Sequence, residues 1–119
     1  MYKVIFYNDD KGIEPVRIFL NKLPRKHREK ISVYIALLEE KKPVELSVDQ
    51  HYKNLGHYPG LWEIRVDFAK NFYRIFYSYI ENENIILLHG YYKDTNETPQ
   101  KDIDIALKNK ANWERKGTT

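Results

Sequence analysis

Residues 61–92 read LWEIRVDFAKNFYRIFYSYIENENIILLHGYY, three runs of β-branched and aromatic residues separated by two short polar breaks. Strand side chains alternate with period two, so Trp62, Ile64 and Val66 share one face of the first run while Glu63, Arg65 and Asp67 share the other. In the second run Tyr73, Ile75 and Tyr77 alternate with Arg74, Phe76 and Ser78. The break Phe68-Ala69-Lys70-Asn71 is short enough for an antiparallel hairpin, and Glu81-Asn82-Glu83-Asn84 is a second. Residues 85–91 are apolar on both faces, as a central strand is. Such a block has to build a sheet, and an arginine within its strands has to leave the core or find a partner there.

The remaining residues supply strands and helices around that sheet. Residues 2–7, YKVIFY, read as a first strand closed by the turn signal Asn8-Asp9-Asp10-Lys11-Gly12. Pro15 sits at a favoured first helical position, and Val16, Phe19, Leu20 and Leu23 form one apolar stripe before Pro24 ends the helix. A second helix over residues 25–42 carries Ile31, Tyr34, Ile35 and Leu38 on one face. Residues 43–60 are the least regular, with Asn54, Gly56, Pro59 and Gly60 as turn formers and Leu55 as an apolar anchor. Thr98 and Pro99 open a last helix with Ile103, Ala106, Leu107 and Trp113 facing a core; a frayed tail is expected from about residue 115.

The expected architecture is one α+β domain over residues 1–119, in the order β-α-α-β-β-β-α. Its small, mostly antiparallel sheet carries the helical hairpin on one face and leaves the other partly open. Arg65 and Arg74 fall together on the open side.

Cysteine is absent, which excludes a disulfide framework, a thiolate nucleophile and cysteine-ligated zinc. No apolar run reaches transmembrane or signal-peptide length, so a cytoplasmic location is the default and no membrane partner is expected. Histidines 27, 51, 57 and 89 lack metal-ligand spacing, and no nucleophile elbow, Walker loop or dinucleotide fingerprint is present. Neither a metal nor a cofactor is expected. His57, in the Gly/Pro-rich loop, and His89, near the end of the third run, are candidate general bases; a solvated loop histidine and a hydrogen-bonded buried one are the plainer readings.

Formal net charge is only +3, but Lys22, Arg25, Lys26, His27, Arg28 and Lys30 crowd one stretch. Positive charge at a helix N-terminus opposes the macrodipole by roughly some tenths of a kcal/mol each, which hints at another use such as phosphate contact; a solvated helix face is the plainer reading. Beyond that stretch stands a cationic and aromatic set: Arg65, Arg74, Lys93, Tyr58, Tyr91 and Tyr92. Cleavage of RNA by its own 2′-hydroxyl needs positive groups at the phosphoryl oxygens, and an arginine fork holds two oxygens at once. Aromatic rings stack unpaired bases for roughly 1–3 kcal/mol each. The competing role for either arginine is a cross-strand ion pair with Glu63 or Asp67, worth under about 1 kcal/mol if exposed.

The runs LWEIRV, YRIFYSY and ILLHGYYKDTNETP, followed by a lysine-rich helix, resemble the phage-derived HigB branch of the RelE/ParE toxin superfamily. The N-terminal YKVIFYNDDKG and PVRIFLNKLP extend the resemblance to nearly the whole chain. It implies a RelE-like fold and the toxin of a type II toxin–antitoxin system: a ribosome-dependent, metal-independent mRNA endonuclease. The implied partners are the ribosome, its mRNA and a HigA-like helix-turn-helix antitoxin, bound in a hetero-oligomer. By position Arg74 matches the family's phosphate-holding arginine, Arg65 a basic residue of the preceding strand and Lys93 the basic residue after the last strand. Tyr91, Tyr92, His57, Lys26 and Arg28 are the candidate RNA contacts. The chain departs from the pattern at Asp94 and Glu97, where relatives commonly carry basic residues. Two other readings stay open: a ParE-like, non-enzymatic topoisomerase inhibitor, and a plain RNA-binding module using residues 22–30.

Overall fold

The computed structural model describes residues 2–81, 83–94 and 99–117. Strand β1 (Lys3–Phe6) leads into helices α1 (Pro15–Asn21), α2 (Arg25–Glu40) and α3 (Pro43–Leu46). Strands β2 (Tyr52–Asn54), β3 (Trp62–Phe68), β4 (Asn71–Ile80) and β5 (Asn84–Tyr92) follow, and then α4 (Gln100–Gly117). The strands form one sheet in the order β1-β5-β4-β3-β2. Pairings are antiparallel except that β1 runs parallel to β5. The fold is therefore α+β with a mixed sheet, which corrects the expected mostly antiparallel one. Parallel neighbours must be far apart in sequence, so local pattern cannot reveal that β1 slots in beside β5.

The element order also gains a helix and a strand, both inside residues 43–60. Helix α3 is a single turn started by Pro43, with Glu45 reaching back to accept the Lys42 backbone N–H at 2.9 Å. Strand β2 pairs with the start of β3, and its buried Tyr52 donates its hydroxyl to the Tyr34 carbonyl of α2 at 2.6 Å. Elements of three or four residues are too short for hydrophobic periodicity to register.

Both faces of the sheet are covered. The hairpin buries Val16, Leu20, Leu23, Ile31, Ile35 and Leu38 against Ile64, Val66, Tyr73, Ile75, Tyr77, Ile85 and Leu87. Gly90 of β5 lets α1 lie close: a Cβ there would stand 2.6 Å from the Phe19 ring. On the opposite face Ile103 and Ala106 of α4 bury Phe76, Ile80, Ile86, Leu88 and Tyr91, together with Leu55 and Leu61. Asn109 Nδ2 donates to the Leu88 carbonyl and the Tyr7 hydroxyl to Asn112 Oδ1, each at 2.9 Å, fastening α4 to the sheet. The expected open face is thus largely closed by α4. Thr98, expected to cap that helix, lies outside the described residues; the helix itself runs through Gly117, past the expected start of the frayed tail. Among the described residues no helix is long and apolar enough to cross a membrane.

The β3–β4 hairpin closes through Ala69 and Lys70, both with positive φ (51° and 65°), between the paired residues Phe68 and Asn71. This two-residue loop demands the left-handed region that glycine and asparagine enter readily and other residues enter at a cost. Lys70→Gly should therefore raise stability by about 0.5–1 kcal/mol, the relief of strain less the added flexibility of the unfolded chain. A higher denaturant midpoint with unchanged slope is the expected measurement.

Candidate functional site

Arg65 and Arg74 are direct partners in the β3–β4 register, so their side chains leave the same face side by side. Like charges placed opposite one another in a sheet are destabilising unless something compensates. Asp67, two residues along β3, compensates one of them: Arg74 Nη1 donates to Asp67 Oδ1 at 2.8 Å and to the Tyr73 carbonyl at 2.8 Å. The Arg74 side chain is 5% exposed and that of Asp67 59%, so the pair bridges core and solvent. Arg65 is half-buried and, among the described residues, makes no ion pair.

Lys93 joins this charge from the end of β5, its backbone N–H donating to the Phe72 carbonyl at 2.8 Å. Burial first, then the charges of Arg74 and Arg65, push its ammonium below the usual lysine range, which makes it a readier proton donor than a free lysine. A bulge between Phe76 and Tyr77 shifts the β4–β5 register, pairing Tyr91 with Arg74 and His89 with Phe76. An extra residue in one strand reverses alternation beyond it, so Tyr91 and Lys93 face with the arginines.

The surface formed here is a cleft of about 310 Å³ lined by Gln50, His51, Arg65, Asp67 and Arg74. On the same sheet face, beside the arginines, the buried Tyr91 hydroxyl donates to the buried Glu63 carboxylate at 2.8 Å. Burial, and then the Glu63 charge, push the Tyr91 phenol up, so it stays a hydrogen-bond donor. Its ring stacks on Phe76 at 5.3 Å, which ties it into the core under α4. Among the described residues no cluster of three or more His, Asp or Glu side chains is placed to hold a metal ion. What the cleft offers is a pair of guanidiniums with an ammonium nearby, suited to an anion with several oxygens.

Residues 18–111 match the family described as phage derived protein Gp49-like (DUF891), a span running from α1 into α4 that holds every cleft residue. The chain belongs to this family. The Gp49-like family is toxin-like, of the RelE/HigB type, and at that level the resemblance read from the sequence holds. Comparison with curated proteins finds no match.

The other candidates of this Gp49-like chain lie elsewhere. Tyr92 is 51% exposed on the hairpin face, its ring against Phe19 and Tyr73. Lys26 and Arg28 belong to α2 on that same face, where the intervening His27 is hydrogen-bonded to the Tyr73 hydroxyl. The sheet thus separates these three residues from Arg65 and Arg74. His57 is exposed beside a different recess, of about 210 Å³, shared with Lys53, Tyr58 and Ile103. His89 is committed to α4, with Nε2 2.7 Å from Asp102 Oδ1 and its ring parallel to those of Phe76 and Tyr91. Asp94 is exposed just past Lys93, and Glu97 lies outside the described residues.

The cleft also contains a residue that the sequence reading passed over. His51 precedes β2, and its carbonyl accepts the Arg65 backbone N–H at 2.7 Å, which places it against the arginine pair. Asp49 Oδ1 receives both the backbone N–H of His51, at 2.8 Å, and its Nδ1, at 2.9 Å. The backbone bond above all, then the side-chain one, holds the Asp49 carboxyl below its ordinary value. An Asp-x-His triplet just before a short strand was the available signal; metal-ligand spacing, the test applied to the histidines, does not detect it.

Proposed function

We propose that this Gp49-like protein is the toxin of a type II toxin–antitoxin system and cleaves mRNA on the ribosome. The observation that carries the reading is the facing pair Arg65 and Arg74, of which Asp67 compensates only one. A sheet gains nothing in stability from an unpaired arginine opposite another arginine, whereas a phosphodiester gains a bidentate partner. In this reading Arg65 and Arg74 grip the non-bridging oxygens and stabilise the charge that grows there as the 2′-oxygen attacks phosphorus. Lys93 stands ready to protonate the departing 5′-oxygen. The basic stretch of α2, on the other face, would seat the protein on ribosomal RNA while the cleft engages the message. A helix-turn-helix antitoxin is the proposed partner that neutralises it, and the cytoplasm the proposed place of action.

Primer extension on cellular mRNA after brief induction tests this. New 5′ ends within translated regions, phased with codons, are the expected result. Intact mRNA with induction of the DNA-damage response would overturn cleavage in favour of topoisomerase inhibition. Salt-sensitive RNA binding without cleavage would reduce the protein to a binding module.

A further inference from the structure

We infer that Asp49 and His51 form the proton-accepting pair of the cleft, with His51 taking the 2′-hydroxyl proton and Asp49 acting as its positioning residue. This rests on the RNA-cleavage reading above and supplies what that reading lacks, a base. An ionised carboxylate only accepts hydrogen bonds, so Asp49 holds the hydrogen of His51 on Nδ1 and leaves the lone pair on Nε2. The Tyr34 ring stacks on the imidazole at 4.3 Å and 30°, which fixes the ring plane from the α2 side. Each side chain of the pair is 31% exposed, so substrate can reach the imidazole. The groups sharing its cleft are Gln50, Arg65, Asp67 and Arg74, two of them cationic.

The other histidines are placed differently. His27 bonds Tyr73 on the far face, His89 is held by Asp102 under α4, and His57 stands at another recess. His51 is also tied to Arg65 through the main chain, so a single backbone hydrogen bond holds the two residues side by side at the cleft. That is the preorganisation a general base needs.

The step balances as a transesterification. Nε2 of His51 takes the proton of the 2′-hydroxyl, the 2′-oxygen forms a bond to phosphorus, and the bond from phosphorus to the 5′-oxygen breaks. The Lys93 ammonium gives its proton to that 5′-oxygen. The products are a 2′,3′-cyclic phosphate and a 5′-hydroxyl; His51 then loses its proton to water and Lys93 regains one.

The test is cleavage of mRNA on purified ribosomes by the wild type and by His51→Ala, His51→Gln and Asp49→Asn, across pH and with folding checked by thermal melting. His51→Ala and His51→Gln should each lower the rate by about 10²–10⁴-fold with near-native melting, and Asp49→Asn should lower kcat with little change in KM. Added imidazole should restore part of the His51→Ala rate, and the acidic limb of the wild-type pH profile should vanish in His51→Gln. Wild-type rates in both His51 variants would overturn the pair while leaving the proposed function standing. A loss that imidazole does not repair, with the acidic limb unchanged, would make His51 architectural and also overturn it. Absence of cleavage by the wild type would overturn the proposed function and the pair together.

Discussion

Replacing Arg65 by threonine is expected to lower mRNA cleavage by about 10²–10³-fold, the usual range for removing one charge-stabilising donor, while leaving the melting temperature unchanged or higher. Arg65 faces Arg74 directly across the β3–β4 ladder and, among the described residues, has no carboxylate partner. Removing it abolishes a like-charge contact, and threonine suits a strand, so the sheet loses little. At the facing position both properties are expected to fall together. Arg74 is 4% exposed and bonded to Asp67 and to the Tyr73 carbonyl, so truncating it deprives that buried carbonyl of its side-chain donor and confuses folding with function. Arg65 is therefore the cleaner probe: a toxicity assay and a melting curve on the same variant separate the two roles. If Arg65→Thr stays fully toxic, or if it melts well below the wild type, the phosphate-gripping role is wrong.

Phe76→Ala is expected to destabilise the protein by about 3–5 kcal/mol, a large share of the roughly 5–15 kcal/mol that holds a domain of this size together. Phe76 is fully buried in the core between the sheet and α4, and its ring clusters with those of Tyr91 and His89. Its loss opens a cavity beneath the Tyr91–Glu63 bond and beside the His89–Asp102 attachment of α4. A denaturant titration should show the drop in midpoint. A change below about 1 kcal/mol would mean that α4 does not close this face.

Strands β1, β3, β4 and β5, the two helices of the hairpin and the last helix were legible because each depends on a local repeat. Trp62, Ile64 and Val66 could be set apart from Arg65 by counting residues, and the stripe of α2 by counting turns. The parallel docking of β1, the short α3 and β2, and the closure of the second face by α4 were not legible. The first depends on a distant partner, the next two are shorter than a period, and the last depends on where a helix lands after its chain leaves β5.

The site divided in the same way. Arg65 and Arg74 were readable as face-sharing neighbours, because antiparallel register across a two-residue turn is nearly a local property. Tyr92 belongs by composition to the same cationic and aromatic set, but the pleat puts it on the hairpin face, and the bulge at Phe76 and Tyr77 sets the side to which Tyr91 and Lys93 project. His51 lies in a segment with no periodicity to read, so its meeting with Arg65 and Asp49 appears only once β2 is paired.

By itself, then, the sequence determined that a sheet would form and that two arginines would share one of its faces, since both follow from alternation along contiguous residues. Only the tertiary structure decided which arginine Asp67 neutralises, which histidine reaches the cleft and how much of that face stays open. Those outcomes depend on contacts between segments far apart in the chain, and side-chain period carries no record of them.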